Sequence, residues 1–104
     1  MQVFRRMMTM RPEASLESYF IKQAQLHNVL QYKFLSGITG VPDRILICPK
    51  MTAFIELKAE NGKLSKRQKF VIKSMRNHGA IVLVPFSKAD IDDIFDEIKR
   101  NSIG

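Results

Sequence analysis

The sequence predicts a mixed α/β domain, a four-stranded sheet flanked by helices in the chain order α-β-β-β-α-β-α. Three observations carry this. Between residues 30 and 58, short apolar or alternating runs are divided by turn residues, the pattern of consecutive strands. Apolar residues before and after that region recur at three- and four-residue spacing, the pattern of helices with one buried face. A capped helical segment then separates the third strand from the fourth, so those two strands should run parallel through a right-handed crossover. The 104 residues suit one domain, and 45% hydrophobic content is enough for one modest core.

Each element has a local reason. Pro12 suits a first helical position. From Glu13 to about His27, Leu16, Phe20 and Ala24 recur at four-residue steps with Ile21 beside them. Leu30 to Leu35 alternates like a strand, and "SGITG" follows as a glycine-rich loop. Arg44–Cys48 reads as a second strand, Pro49 and Lys50 as a turn, and Thr52–Lys58 as a third strand, closed by the turn "AENGK". A helix runs from Ser65 to about Asn77, opened by the capping box "SKRQ" and stopped at Gly79. Ile81–Val84 is a buried strand. "SKAD" is a second capping box, starting a helix to about Lys99 with the stripe Ile91, Ile94, Phe95 and Ile98. Residues 1–11 are expected to form a tail and 12–104 a single domain.

Composition narrows the function classes. No apolar run approaches the roughly 18–20 residues of a membrane span, and no secretory signal is legible. The lone Cys48, inside "RILIC", cannot build a disulfide framework or a zinc site; it is expected to be a reduced core residue, in keeping with a cytoplasmic setting. The net charge is +7. Lys58, Lys63, Lys66, Arg67, Lys69, Lys73 and Arg76 form a basic block, whereas Asp90, Asp92, Asp93, Asp96 and Glu97 gather near the C-terminus. A positive side of this kind suits a polyanionic partner, most often nucleic acid.

The chemistry centres on "GVPDRILICPKMTAFIELK", residues 40–58. A hairpin symmetric about Pro49 and Lys50 sets Asp43 opposite Glu56, with Cβ atoms roughly 4.5–5.5 Å apart. Two carboxylates at that spacing repel each other, and a divalent cation between them removes the penalty; oxygen ligands suit magnesium or manganese. Lys58 shares the strand face of Glu56, while Leu57 points the other way. An Asp/Glu/Lys salt-bridge group at a strand edge is the alternative reading. Glu17 falls within the apolar face of the first helix, so it needs a partner, which Lys58 or a metal would supply. Lys66, Lys69, Lys73 and Arg76 make one basic stripe, either a solvated face or a phosphate contact. Gln68 projects toward the side of Val71, Ile72 and Met75; capping alone explains it, and contact with the reacting group is the other reading.

These residues resemble a known family. "GVPD", then "IELK" thirteen residues on, then "GKLSKRQ", with the upstream "SLESYF" helix and downstream "GAIVLVPFSKADID", are similar to the VRR-NUC domain of the PD-(D/E)xK nuclease superfamily. The resemblance covers roughly residues 13–98. It implies a restriction-endonuclease-like core and a magnesium- or manganese-dependent DNA endonuclease. It also implies roles: Asp43, Glu56 and the Leu57 carbonyl as metal ligands, Glu17 assisting them, Lys58 positioning and activating the attacking water, Gln68 supporting the site, and Lys33 touching substrate. With Lys33, Arg44 and Lys63, the stripe residues Lys66, Lys69 and Lys73 complete the expected DNA-contacting set. Small stand-alone members, many phage or bacterial, tend to be homodimers, which implies a homodimer suited to branched DNA such as four-way (Holliday) junctions. A non-catalytic DNA-binding module on the same fold, or an RNA-directed nuclease, are the alternatives.

Overall fold

A computed structural model describes residues 12–103; the expected tail, residues 1–11, lies outside the described residues. Helix α1 spans Pro12–Leu26, strands β1, β2 and β3 span Leu30–Lys33, Arg44–Cys48 and Met51–Ile55, helix α2 spans Lys66–Asn77, strand β4 spans Ile81–Leu83 and helix α3 spans Lys88–Ile103. The sheet order is β1-β2-β3-β4. The β1–β2 and β2–β3 pairs are antiparallel, and β3–β4 is parallel. This is the mixed sheet and the element order that the sequence predicts.

The alternation of side chains gives the sheet two unlike faces. On the first, Arg44 opposes Ile55 and Leu46 opposes Ala53. Leu16, Phe20 and Ala24 of α1 and Ile91, Phe95 and Ile98 of α3 close over this face and build the main core. Each of the leucine, isoleucine and phenylalanine side chains among them, fully buried, contributes about 1.5–3 kcal/mol. The second face carries Ile45, Phe54 and Val82, and α2 covers only its β4 end. There Ile72 is buried, and Arg76 donates to the Val82 carbonyl. The β1 end of the second face has no helix over it, so Leu30 and Tyr32 stay more than half exposed.

Caps form as their residue types dictate. Ser65 Oγ accepts the Gln68 N–H at 3.0 Å, and Gln68 Oε1 accepts the Ser65 N–H at 2.9 Å, a reciprocal capping box. At α3, Ser87 Oγ accepts the Asp90 N–H, but Asp90 Oδ2 takes the N–H of Phe86, one residue earlier than a standard box. Among the described residues, no helix is long and apolar enough to cross a membrane.

Several expectations change. Cys48 packs against the core but is only partly buried; desolvation pushes its thiol pKa up. Strand β1 stops at Lys33, and α3 runs on to Ile103. The largest difference is at β3, which ends at Ile55 rather than Lys58. Continuing both registers by two residues sets Leu57 between Pro42 on the β2 side and Pro85 on the β4 side. Neither proline has an N–H to donate, so the ladder cannot continue there. Both prolines are fully buried, and the chain from Glu56 to Lys58 is held from one side by its own N–H groups.

Candidate active site

The segment that carries Glu56, Leu57 and Lys58 is fixed to the chain after β4. The Glu56 N–H donates to the Leu83 carbonyl at 3.0 Å, and the Lys58 N–H to the Pro85 carbonyl at 3.1 Å. Glu56 therefore turns its backbone groups away from β2. Asp43 does likewise, its carbonyl accepting the Phe34 N–H at 2.7 Å on the β1 side. The β2–β3 register sets Cys48 against Met51 and Arg44 against Ile55, the symmetric hairpin that the sequence predicts. The ladder ends there; carried one residue further, the same register would set Asp43 opposite Glu56 as a non-hydrogen-bonded pair, the kind in which facing side chains lie closest.

Around Glu56 the expected groups assemble. Lys58 Nζ lies 3.9 Å from Glu56 Oε2, and Gln68 Nε2 donates to the same oxygen at 3.4 Å. The Glu56 and Lys58 side chains are only 12% and 20% exposed, so their interaction is less screened than a surface pair. Gln68 thus serves twice: its Oε1 caps α2 and its Nε2 reaches the carboxylate. The capping reading of Gln68 therefore holds, and its amide also reaches the Glu56 carboxylate. Asp43 is exposed, and among the described residues nothing engages its carboxylate. Phe34 and Phe54 meet edge to face beside the pair, ring centroids 5.2 Å apart, and stiffen the strands that present it.

The donor set fits a hard divalent cation. Two facing carboxylates and a backbone carbonyl that Pro42 cannot serve are all oxygen ligands, and magnesium is commonly held by one or two carboxylates with substrate oxygens completing the shell. Among the described residues, no three Asp, Glu, His or Cys side chains gather into a metal-holding group.

Glu17 and Arg44 depart from expectation together. Arg44 Nη2 lies 3.1 Å from Glu17 Oε2, Arg44 Nη1 donates to Gln31 Oε1, and the guanidinium lies 5.9 Å from the Phe20 ring centroid. Arg44 is 3% exposed, so it does not present itself to DNA. The reason is alternation: with Asp43 on the second face, Arg44 must enter the first. Glu17 sits at the rim of that face, 43% exposed, and its partner is Arg44, not Lys58. Strand parity alone gives the signal for Arg44's inward direction. Lys33 is exposed but opposes Arg44, on the sheet face away from Asp43. Lys63, Lys66, Lys69 and Lys73 are exposed, and Lys69, Lys73 and Arg76 line a shallow groove along α2.

Between "SGITG" and Asp43, Gly40 closes the chain onto α2. Its φ is +95°, and a Cβ there would lie 3.0 Å from both Arg67 Cγ and Val71 Cγ2. Only glycine permits this approach, which ties the loop before Asp43 to the helix that carries Gln68.

A mixed sheet whose end carries Asp43 and an E-x-K segment, backed by a glutamine from the crossover helix, has the arrangement of the PD-(D/E)xK class. The sequence model of the VRR-NUC domain matches residues 5–89. A solved VRR-NUC domain superposes with a TM-score of 0.75 at 27% identity, over 84% of this chain and 97% of that one. No curated protein gives a significant match. The chain belongs to the VRR-NUC family, which is a family of nucleases.

Proposed function

We propose that the protein is a metal-dependent DNA endonuclease whose catalytic centre is Asp43, Glu56 and Lys58, supported by Gln68. The observation that carries this reading is the convergence of Lys58 and Gln68 on the Glu56 carboxylate, one residue beyond the last β2–β3 pair, Arg44 and Ile55. Asp43, Glu56 and the Leu57 carbonyl are the groups suited to hold magnesium or manganese, which would supply charge neutralisation at a phosphoryl oxygen. Lys58 lies within reach of a water beside Glu56 and orients it toward phosphorus. The water oxygen bonds to phosphorus as the bridging P–O bond breaks, leaving a hydroxyl and a phosphomonoester. Gln68 holds the Glu56 carboxylate in place through both events. Lys63, Lys66, Lys69 and Lys73 take the neighbouring phosphates. Glu17 acts on this site only through Arg44, its partner in the first face.

The finer reading is a homodimer that selects branched DNA, including four-way junctions. The uncovered second-face surface at Leu30 and Tyr32, on edge strand β1, is an apolar area that a second copy would cover. The free thiol suits a reducing compartment, the cytoplasm.

The test is a panel of single-stranded, duplex, flapped and four-way-junction DNAs, with matched RNAs, incubated with magnesium, manganese or chelator. Metal-dependent cutting of DNA that Lys58→Ala abolishes is the expected result. Binding without cutting under any metal would reduce the protein to a DNA-binding module, and sedimentation as a monomer at micromolar concentration would remove the dimer.

A further inference from the structure

Phe70 is the side chain that neither the core nor the catalytic centre uses. It lies in the second turn of α2 and is 66% exposed. The helical period turns Gln68, Ile72 and Met75 toward the sheet and sets Phe70 on the opposite side. Its neighbours on that side are Lys66 and Lys73 in one direction and Arg67 in the other. A phenylalanine surrounded by cations and left in water gains nothing from folding.

The ring is nevertheless held. The Arg67 guanidinium lies 5.7 Å from the centroid of the Phe70 ring, within cation–π range. Arg67 is fixed in turn: its Nε donates to the Thr39 carbonyl at 3.3 Å, and its side chain packs where Gly40 leaves no Cβ. The same loop leads directly into Asp43, and Gln68, two residues before Phe70, touches Glu56. The ring is therefore fixed in relation to the catalytic centre through both the loop and the helix.

Charge selects the occupant. An apolar protein surface docking on Phe70 would desolvate Lys66, Arg67 and Lys73, whereas a polyanion with flat apolar rings satisfies both parts at once. Bases inside a duplex are already stacked on both sides, so only an unpaired or terminal base has a face to offer. We propose that Phe70, held by Arg67, is a stacking platform for an unpaired base of the DNA substrate, with the lysines beside it taking the flanking phosphates. This rests on the DNA nuclease reading and adds to it the feature that distinguishes flapped or branched DNA from plain duplex.

The experiment compares binding of two fluorescent DNAs, a duplex closed at both ends by non-nucleotide linkers and the same duplex with a single-stranded flap, in chelator so that neither is cut. Phe70→Ala should weaken the flapped DNA about tenfold while changing the closed duplex by less than about twofold, and Phe70→Trp should restore the difference. Melting temperature should not move, because the ring is exposed. Equal weakening of both DNAs, no weakening of either, or a shift in sedimentation showing that Phe70 joins two copies would each overturn the proposal. Cleavage of the same DNAs in magnesium separates this from the parent reading. Cutting with no difference between wild type and Phe70→Ala removes the stacking role alone. An intact binding difference with no cutting removes the nuclease reading alone.

Discussion

Asp43 and Arg44 are adjacent residues with opposite fates. Arg44 enters the first face of the sheet, where Glu17 and Gln31 satisfy its guanidinium and Phe20 lies beside it. Asp43 turns to the second face, the face of Glu56, and is exposed, with no side chain among the described residues answering its charge. One cluster is electrostatically closed and the other is left open. A buried cation that finds its carboxylate within the fold serves stability. A carboxylate pair with one member unanswered retains capacity for a ligand from outside. Proximity of charges in the sequence does not distinguish the two; the face of the strand does.

The comparison is tested hardest at its open side. Asp43→Asn or Lys58→Ala should lower cleavage by about 10²–10⁴-fold, while Asp43→Asn leaves the melting temperature unchanged or raises it by relieving repulsion from Glu56. A large loss of stability in Asp43→Asn would show that the open cluster also holds the fold. On the closed side, Arg44→Ala should cost about 3 kcal/mol in urea unfolding, because Glu17 and Gln31 lose their partner. Glu17→Gln removes the counter-charge of the buried Arg44 but keeps an amide oxygen that can accept from it, so it should cost less. Were Arg44→Ala neutral, the division between the two faces would fail.

Two smaller effects sharpen the contrast. Gly40→Ala combines a positive φ with a close approach to Arg67 and Val71, and should cost about 2 kcal/mol and reduce cleavage by displacing Asp43. Calorimetry and a cleavage assay on the same variant would show whether the loop links stability to the site. Replacing Lys66 and Lys73 together by alanine should leave unfolding unchanged. The salt dependence of DNA binding should become shallower by about 0.9 in log–log slope for each phosphate that the variant no longer neutralises.

Much of the fold was legible because its signals are local. The capping box at Ser65, the symmetric turn at Pro49 and Lys50, and the α3 stripe each lie within a few residues. The β2–β3 register and the Gln68 direction followed from turn symmetry and periodicity alone. What local patterns missed was set by partners far along the chain. The end of β3 at Ile55 depends on Pro42 and Pro85, read together across two registers. The Glu17–Arg44 pair depends on how α1 lies over β2, although the parity of Arg44 was available. Phe70 was invisible as a special residue because a helical apolar residue is ordinarily a core residue.

The two prolines beside Leu57 have one further consequence. Amide exchange should divide this short segment unevenly: the protons of Glu56 and Lys58, sheltered by the carbonyls of Leu83 and Pro85, should leave slowly, while that of Leu57, which has no such backbone acceptor among the described residues, should leave faster. The peptide oxygens that would meet a cation are thus set before any cation arrives, by residues that cannot close the sheet. Restoring an N–H at position 42 would invite the strands to zip past Leu57 and cover the carbonyl proposed to meet the cation.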